Sequence, residues 1–325
     1  MNKRTIGELV VSSVGFGCMG LSHAYGPAIP KEEAIQIIRD AVEVGYTYFD
    51  TAECYLGNFA DGSPANNELI VGEALRPYRD KVVIATKFGV THGGDRLILD
   101  SSPETIRKSV DGSLKRLGID CIDLYYQHRI DPKVEPETVA EVMNELMKAG
   151  KIRYWGISET NEDYLRRANA VCKVTAIQNR YSMMARWHEN LFPVCEELGV
   201  GYVAFSPLAN GFLTDAFPKG ERFAEGDFRN FMPQYTEQGH EENVELLAYL
   251  HELAEQKQAT PAQISLAWML CKKPFICPIP GTRKKEWLKE NAGAADIVLT
   301  AEEVKRIDDR LGQIQMSEVF GGHHG

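Results

Sequence analysis

An α/β fold of one particular kind, a single (β/α)8 TIM barrel, is what the chain predicts, and three observations carry the prediction. Short apolar runs with strand character alternate with amphipathic segments of helical spacing along nearly all of the 325 residues. Eight strand candidates can be counted, whereas an open flavodoxin-like sheet needs only about five. From the second strand onward the strand ends carry Asp50, Lys87, His128, Ser158, Gln178, Ser206 and Gly281, and a closed barrel gathers the C-terminal ends of its strands on one face.

The elements follow in order. A short hairpin over Thr5–Ser13 precedes the first strand, Val14–Gly17. Pro30–Val44 reads as a helix because Ala34, Ile35, Ile38, Ala41 and Val42 share one face, and Gly45 stops it. Tyr46–Phe49 is a strand ending in Asp50, followed by a Gly- and Asn-containing loop and a short helix around Glu68–Leu75. The strand Val82–Thr86 ends in Lys87. Ser102-Pro103 then supplies an N-cap and a first-turn proline to a helix carrying Ile106, Val110, Leu114 and Leu117 before Gly118.

Cys121–Tyr126 is the fourth strand, with His128 at its end; the helix Pro136–Ala149 is closed by Gly150, and Ile152–Ile157 ends in Ser158-Glu159. A helix near Glu162–Ala170 leads to Val174–Ile177, ending in Gln178-Asn179, and another, His188–Leu198, leads to Gly201–Phe205, ending in Ser206-Pro207. The segment 209–239 holds glycines, prolines and scattered aromatics; irregular stretches of that length are uncommon unless they serve as lids or partner surfaces. A helix from Glu241 is broken and restarted at the capping box Thr260-Pro-Ala-Gln263, before the strand Phe275–Pro278. Thr300-Ala-Glu-Glu303 caps an additional C-terminal helix with Val304, Ile307 and Leu311 inward, and a mobile tail is expected over about 313–325. The domain organisation is therefore one barrel spanning 1–325 with that tail.

Composition narrows the function classes. A formal charge of -10, from 46 acidic against 36 basic residues, argues against nucleic acid or an anionic membrane as partner. No apolar run approaches the roughly eighteen residues that span a bilayer, and Met1-Asn-Lys-Arg precedes no apolar signal region, so a cytoplasmic protein is expected. The seven cysteines show no C-x-x-C and sit in apolar patterns, as reduced cysteines do. The adjacent histidines of Gly321-Gly-His-His-Gly325 read as tail, and no metal is assigned.

Gly15-Phe-Gly-Cys-Met-Gly20 satisfies the dinucleotide pattern G-x-G-x-x-G and even has an acid, Asp40, about twenty residues on. The pattern works only where the glycines open a helix directly, yet Leu21–Ile29 contains Gly26 and Pro27 and reads as loop, while Asp40 lies inside a helix. A tight turn near the barrel mouth is the better reading.

Asp50, Tyr55, Lys87 and His128 form the chemical constellation. A phenol with an ordinary pKa near roughly 10 is a weak acid at neutral pH. An ammonium beside it, itself held by a carboxylate, is expected to lower that value, so Asp50, Lys87 and Tyr55 would titrate together. His128 could orient a substrate carbonyl or take part in proton transfer.

With these residues in view the chain resembles an aldo-keto reductase from Val14 to about Gly312. The likeness rests on Asp50-Thr-Ala-Glu-Cys-Tyr55, Thr86-Lys87-Phe88, Asp123-Leu-Tyr-Tyr-Gln-His128, Gly150-Lys-Ile-Arg-Tyr-Trp-Gly-Ile-Ser158, Phe205-Ser-Pro-Leu208 and Pro278-Ile-Pro-Gly-Thr-Arg283. The resemblance implies a catalytic tetrad of Asp50, Tyr55, Lys87 and His128, with Tyr55 as general acid and NADPH/NADP as cofactor. It implies a nicotinamide carboxamide near Ser158 and Gln178, a pyrophosphate along Ser206, Leu208 and Gly211, and an adenosine phosphate at Gly281, Thr282 and Arg283, with Glu290 and Asn291 towards the adenine. Glu159 stands where many members carry Asn, and Trp287 where several carry a basic residue.

The expected reaction is the reversible reduction of an aldehyde or ketone to an alcohol. The alternatives are a slow-turnover nicotinamide-binding regulatory subunit like those of potassium channels, and a cofactor-free barrel lyase or isomerase. The partner is a small-molecule carbonyl or alcohol, with a homo-oligomer compatible with the sequence. Specificity would reside in the loops Tyr25–Ile29, Leu56–Ala65, Val90–Ser101 and 209–239, where Tyr25, Trp187 and Phe212 are candidate pocket aromatics.

Overall fold

A hairpin of β1 (Lys3–Ile6) and β2 (Leu9–Ser12) opens the chain. The computed structural model describes residues 1–94 and 96–322. The strand–helix alternation then runs β3 (Phe16–Gly17), α1 (Lys31–Val44), β4 (Tyr48–Asp50), the hairpin β5 (Leu56–Asn58) and β6 (Pro64–Asn66), and α2 (Asn67–Leu75). It continues with β7 (Val83–Phe88), the hairpin β8 (Val90–Gly93) and β9 (Arg96–Leu99), α3 (Pro103–Leu117), β10 (Ile122–Gln127), α4 (Pro136–Lys148), β11 (Ile152–Ser158) and α5 (Glu162–Val171). The last part holds β12 (Ala176–Arg180), α6 (Phe192–Leu198), β13 (Gly201–Phe205), α7 (Glu237–Glu242), α8 (Val244–Lys257), α9 (Pro261–Lys272), β14 (Ile276–Pro278), α10 (Lys285–Gly293) and α11 (Ala301–Leu311).

Eight strands form one parallel sheet in the order β14-β13-β12-β11-β10-β7-β4-β3. The ends of that sheet meet: Gly15 N donates to Pro278 O (2.9 Å) and Gly17 N to Pro280 O (3.3 Å), which curls the sheet shut into the (β/α)8 fold. A Cβ on Gly17 would come within 2.7 Å of Ile279 O, and one on Gly281 within 2.6 Å of Gly17 O. The glycines of the refused dinucleotide motif therefore serve the barrel seam, where two backbones approach more closely than any side chain permits. A short 3-10 turn, Met19–Leu21, follows them instead of an α-helix. Asp40, the motif's acid, pairs with Lys285 on α10 at 2.7 Å and accepts from Gln36.

The hairpin closes the far end. Ile6, Leu9 and Val11 are buried with the inward residues Tyr48, Ala85, Leu124, Tyr126, Ala176, Val203 and Cys277, while the larger core lies between the sheet and the surrounding helices. Arg4 fastens the plug by donating to the carbonyls of Leu270 (2.7 Å), Lys273 (2.9 Å) and Ile276 (2.5 Å).

Several sequence expectations shift. The loops 56–65 and 90–101 contain the antiparallel hairpins β5–β6 and β8–β9, whose exposed residues lack an alternating apolar pattern. The helix expected from His188 splits into a 3-10 turn, Glu189–Leu191, and α6, because Pro193 suits the first turn of a helix and not its interior. The long irregular segment holds short 3-10 turns at Phe228–Phe231 and Pro233–Tyr235 and ends in α7. Over 313–322 the expected mobile tail is packed down: Ile314, Ser317 and Val319 are buried, Asn243 Nδ2 donates to Ser317 Oγ (2.7 Å), and Phe320 N donates to Gln234 Oε1 (3.1 Å). Two apolar residues five apart leave no periodic signal, so this docking was not legible. Residues 323–325, with the tail histidines, lie outside the described residues.

Candidate active site

Asp50 and Lys87 are brought together by strand register. Asp50 on β4 faces Ala85 on β7, and Lys87, two residues on, points to the same side of its strand. Lys87 Nζ donates to Asp50 Oδ1 (2.5 Å), to Thr51 O (2.8 Å) and to Tyr55 Oη (3.2 Å). All three donor positions of the ammonium are thus filled. Lys87 is 1% and Asp50 3% exposed, and a buried ion pair of this kind requires its remaining lone pairs to be satisfied. Gln178 does so from β12, its Nε2 donating to Asp50 Oδ2 at 2.7 Å.

The titration states follow from burial first. Burial works to lower the Lys87 pKa, but Asp50 and Tyr55 carry it above the ordinary lysine value, so the group stays charged. Burial pushes the Asp50 carboxyl above its usual range, against the pull of Lys87 and Gln178. The expectation that Lys87 would leave Tyr55 with a depressed pKa does not hold in the free protein: burial raises it to about 12, outweighing the ammonium. The phenol is therefore protonated and able to donate.

His128 follows β10 and lies edge-on to Tyr55, ring centroids 5.7 Å apart. Burial, reinforced by Arg129 and Lys87, holds its pKa well below the ordinary histidine value, so the ring is neutral. Its Nδ1 meets the Cys54 thiol at 3.4 Å, and burial raises that thiol to about 12 and keeps its proton on.

The residues expected around a dinucleotide occupy the same mouth. Ser158 Oγ, almost fully buried, accepts from Arg129 Nη1 (3.2 Å). Gln178, expected at a carboxamide, has its amide nitrogen committed to Asp50. After β13 the backbone turns through positive φ at Ser206, Ala209, Asn210 and Gly211, and such clusters of strained residues gather at ligand clamps. Leu208 anchors that loop against Ala262, Leu266 and Ala294.

Past the seam glycine Gly281, Thr282 Oγ1 caps Lys284 N at 3.0 Å, and Arg283 Nε donates to Gly20 O (2.6 Å) while its buried Nη2 has no partner. Lys285 is taken up by Asp40, and Lys284 lies over the Trp287 ring at 4.5 Å. Glu290 and the buried Asn291 sit on α10, whose Glu290 carbonyl accepts from Gln263. Two orphaned buried polar atoms, Arg283 Nη2 and Asn210 Oδ1, thus flank this region. An orphaned guanidinium donor beside a loop of positive-φ residues is a donor set that fits a phosphate-bearing cofactor.

Sequence reasoning missed other residues here. His23 stacks on Tyr55 with centroids 5.9 Å apart, its Nδ1 donating to Leu56 O (2.7 Å), and His92 of β8 lies 5.1 Å from His23. Both come from connections between barrel strands, His23 from the one after β3 and His92 from the β8–β9 hairpin, and such connections carry no readable code. Arg129 and Arg180 also reach the mouth, and their places beside His128 and Gln178 at strand ends were the available signal. Of the candidate aromatics, Tyr25 accepts from Asn210 Nδ2 (3.0 Å), whereas Phe212 is buried in core against Tyr235 and His240. Trp187 lies beside His188.

Among the described residues, no helix is long and apolar enough to cross a membrane, and no group of three or more His, Cys, Asp or Glu could hold a metal ion. The Aldo/keto reductase family model matches residues 13–311. A probable aldo-keto reductase of Glycine max is 37% identical over 319 residues, covering 97% of this chain and 88% of its own. Among solved structures, a glycerol dehydrogenase of Gluconobacter oxydans superposes with a TM-score of 0.84 at 26% identity, covering 96% of this chain and 95% of that one. An aldo-keto reductase of Bacillus halodurans in its holo form gives 0.77 at 29% identity, with both chains fully covered.

Proposed function

As the chain belongs to the aldo/keto reductase family, and so among the oxidoreductases, we propose that it reduces an aldehyde or ketone reversibly to an alcohol with NADPH, with Asp50, Tyr55, Lys87 and His128 as the working residues. A bound nicotinamide supplies the hydride. Tyr55, protonated because its pKa is about 12, gives its proton to the carbonyl oxygen as negative charge develops there. Lys87 stands 3.2 Å behind the phenol and stabilises the phenolate left after transfer. Asp50 keeps the lysine charged and aimed, and Gln178 keeps Asp50 aimed. The neutral His128 donates a hydrogen bond that orients the carbonyl.

Ser158 serves the nicotinamide end, the loop at Ser206, Leu208 and Gly211 the pyrophosphate, and Gly281, Thr282, Arg283, Glu290 and Asn291 the adenosine end. The unpartnered Arg283 Nη2 supports a 2′-phosphate and hence NADPH over NADH. The single observation that carries the reading is the Asp50–Lys87–Tyr55 chain of hydrogen bonds at the barrel mouth. Tyr55→Phe is expected to lower kcat for carbonyl reduction by about 10²-fold or more, the usual contribution of a general acid, while NADPH affinity by fluorescence titration changes little. Undiminished turnover in that variant would overturn the assignment.

A further inference from the structure

Two guanidinium groups stand at the mouth against the Phe205 ring with no ion pair to any described residue. Arg129 follows His128, and Arg180 ends β12 two residues past Gln178, on the same side of the strand. Arg129 Nη1 donates to His128 O (2.7 Å) and Ser158 Oγ (3.2 Å), both neutral oxygens. Arg180 is 8% exposed, and its guanidinium makes no hydrogen bond or ion pair with any described residue. Both lie against one ring: Arg180 Cζ is 5.0 Å and Arg129 Cζ 5.8 Å from the centroid of Phe205. A Cβ on Gly321 would come within 3.0 Å of Arg180 Nη2, so the C-terminal segment closes one side of this group to water.

Of the other mouth guanidiniums, Arg229 is paired with Asp227 (2.6 Å), while Arg283 donates to Gly20 O and keeps a buried Nη2 for the adenosine end. Glu159, the acid nearest in this arrangement, accepts from the backbone N–H of Arg180 (2.9 Å) and not from its guanidinium. A ring face is a weaker partner for a cation than a carboxylate is, and two like charges beside one ring repel. Burial disfavours the charge on Arg180, and the field of Glu159, opposed by the nearby Arg129, offsets that only in part, yet arginine stays protonated. The pair is left short of an anion.

We propose that Arg129 and Arg180 together receive a carboxylate of the substrate, so that the enzyme prefers oxo acids, and in the reverse direction hydroxy acids, over neutral carbonyls. The proposal rests on the carbonyl-reductase reading and names its substrate class. Arg129 touches the backbone of His128, the residue that orients the carbonyl, which puts the charge beside the reacting group. In a protein of net charge -10 such a local positive pair is what admits an anion. A cofactor phosphate is the other source of an anion, and the experiment separates the two.

The test measures kcat/KM with NADPH for phenylglyoxylate and 4-carboxybenzaldehyde, each against its methyl ester, which keeps the shape and removes the charge. In the wild-type protein at least one acid should exceed its ester by about tenfold or more. Arg180→Met and Arg129→Met, each alone, should collapse that ratio towards one, chiefly through the KM for the acid, and Arg180→Lys should retain part of it. The ratio is taken within one variant, so a loss of folded protein does not mimic the effect. Turnover of esters with no preference for either acid in the wild type would overturn this inference and leave the reductase reading standing; no turnover of any of the four would overturn both. Weakened NADPH affinity in the methionine variants with an unchanged acid-to-ester ratio would assign the pair to a cofactor phosphate and overturn the proposal.

Discussion

At the scale of single residues, the proton on His128 is the detail on which carbonyl orientation turns in the proposed reaction. A neutral imidazole carries one N–H, and whichever ring nitrogen holds it is decided by the partner of the other. In the tautomer that keeps a ring proton for the carbonyl, the protonated Cys54 thiol donates to Nδ1. That leaves the ring proton on Nε2, which makes no hydrogen bond with any described residue. In the proposed reaction Cys54 is thereby a positioning residue. Cys54→Val should lower kcat by about three- to tenfold, about 0.6 to 1.4 kcal/mol of transition-state stabilisation, with KM for NADPH little changed, and Cys54→Ser should restore most of it. Equal kcat in the valine and serine variants would remove the thiol from the mechanism.

At the scale of elements, α9 shows how local chemistry sets a helix that the whole fold uses. Thr260 Oγ1 accepts from Gln263 N (3.2 Å) while Gln263 Oε1 accepts from Thr260 N (3.1 Å). Pro261 stands at the first turn, where a missing N–H costs nothing. The same Gln263 reaches with Nε2 to the Glu290 carbonyl at 3.0 Å and so ties α9 to α10. The helix is buried from Ile264 to Leu270, and its face supports Leu208 of the loop after β13. Thr260→Ala is expected to cost about 1 kcal/mol, the usual worth of such a cap, seen as a lower denaturation midpoint with the slope unchanged.

At the scale of the molecule, the long segment after β13 is fastened past β14 to the loop after β3. Asn210 Nδ2 donates to Tyr25 Oη, and Phe228 N donates to Ala24 O (2.9 Å). Arg229 is held by both oxygens of Asp227 and packs against three rings, 4.0 Å from the centroid of Phe223, 4.8 Å from Phe217 and 5.1 Å from Tyr25. One residue thus joins the segment to itself and to the loop after β3, while the barrel core does not depend on it. Arg229→Ala should speed limited proteolysis within residues 215–227 severalfold and leave the unfolding temperature of the barrel nearly unchanged. Cleavage no faster than in the wild type would show that the segment is held by other means.

What the sequence by itself determined was the alternation, its eight strands and the identity of the strand-end residues. Helical spacing, caps such as Thr260-Gln263 and Thr300-Glu303, and the glycines after α1 and α3 are local signals, set by neighbours a few residues apart. Asp50, Lys87 and His128 were legible because a barrel sends every strand end to one face. The tertiary structure alone decided what depends on distant neighbours. Gly17 and Gly281 are seam residues because two backbones 264 positions apart must touch. Tyr55 has its pKa raised because burial outweighs Lys87. Gln178 is spent on Asp50 because a buried carboxylate must satisfy both oxygens. Arg129 and Arg180 meet over Phe205 because three separate strands bring them there, and no spacing along the chain encodes that meeting.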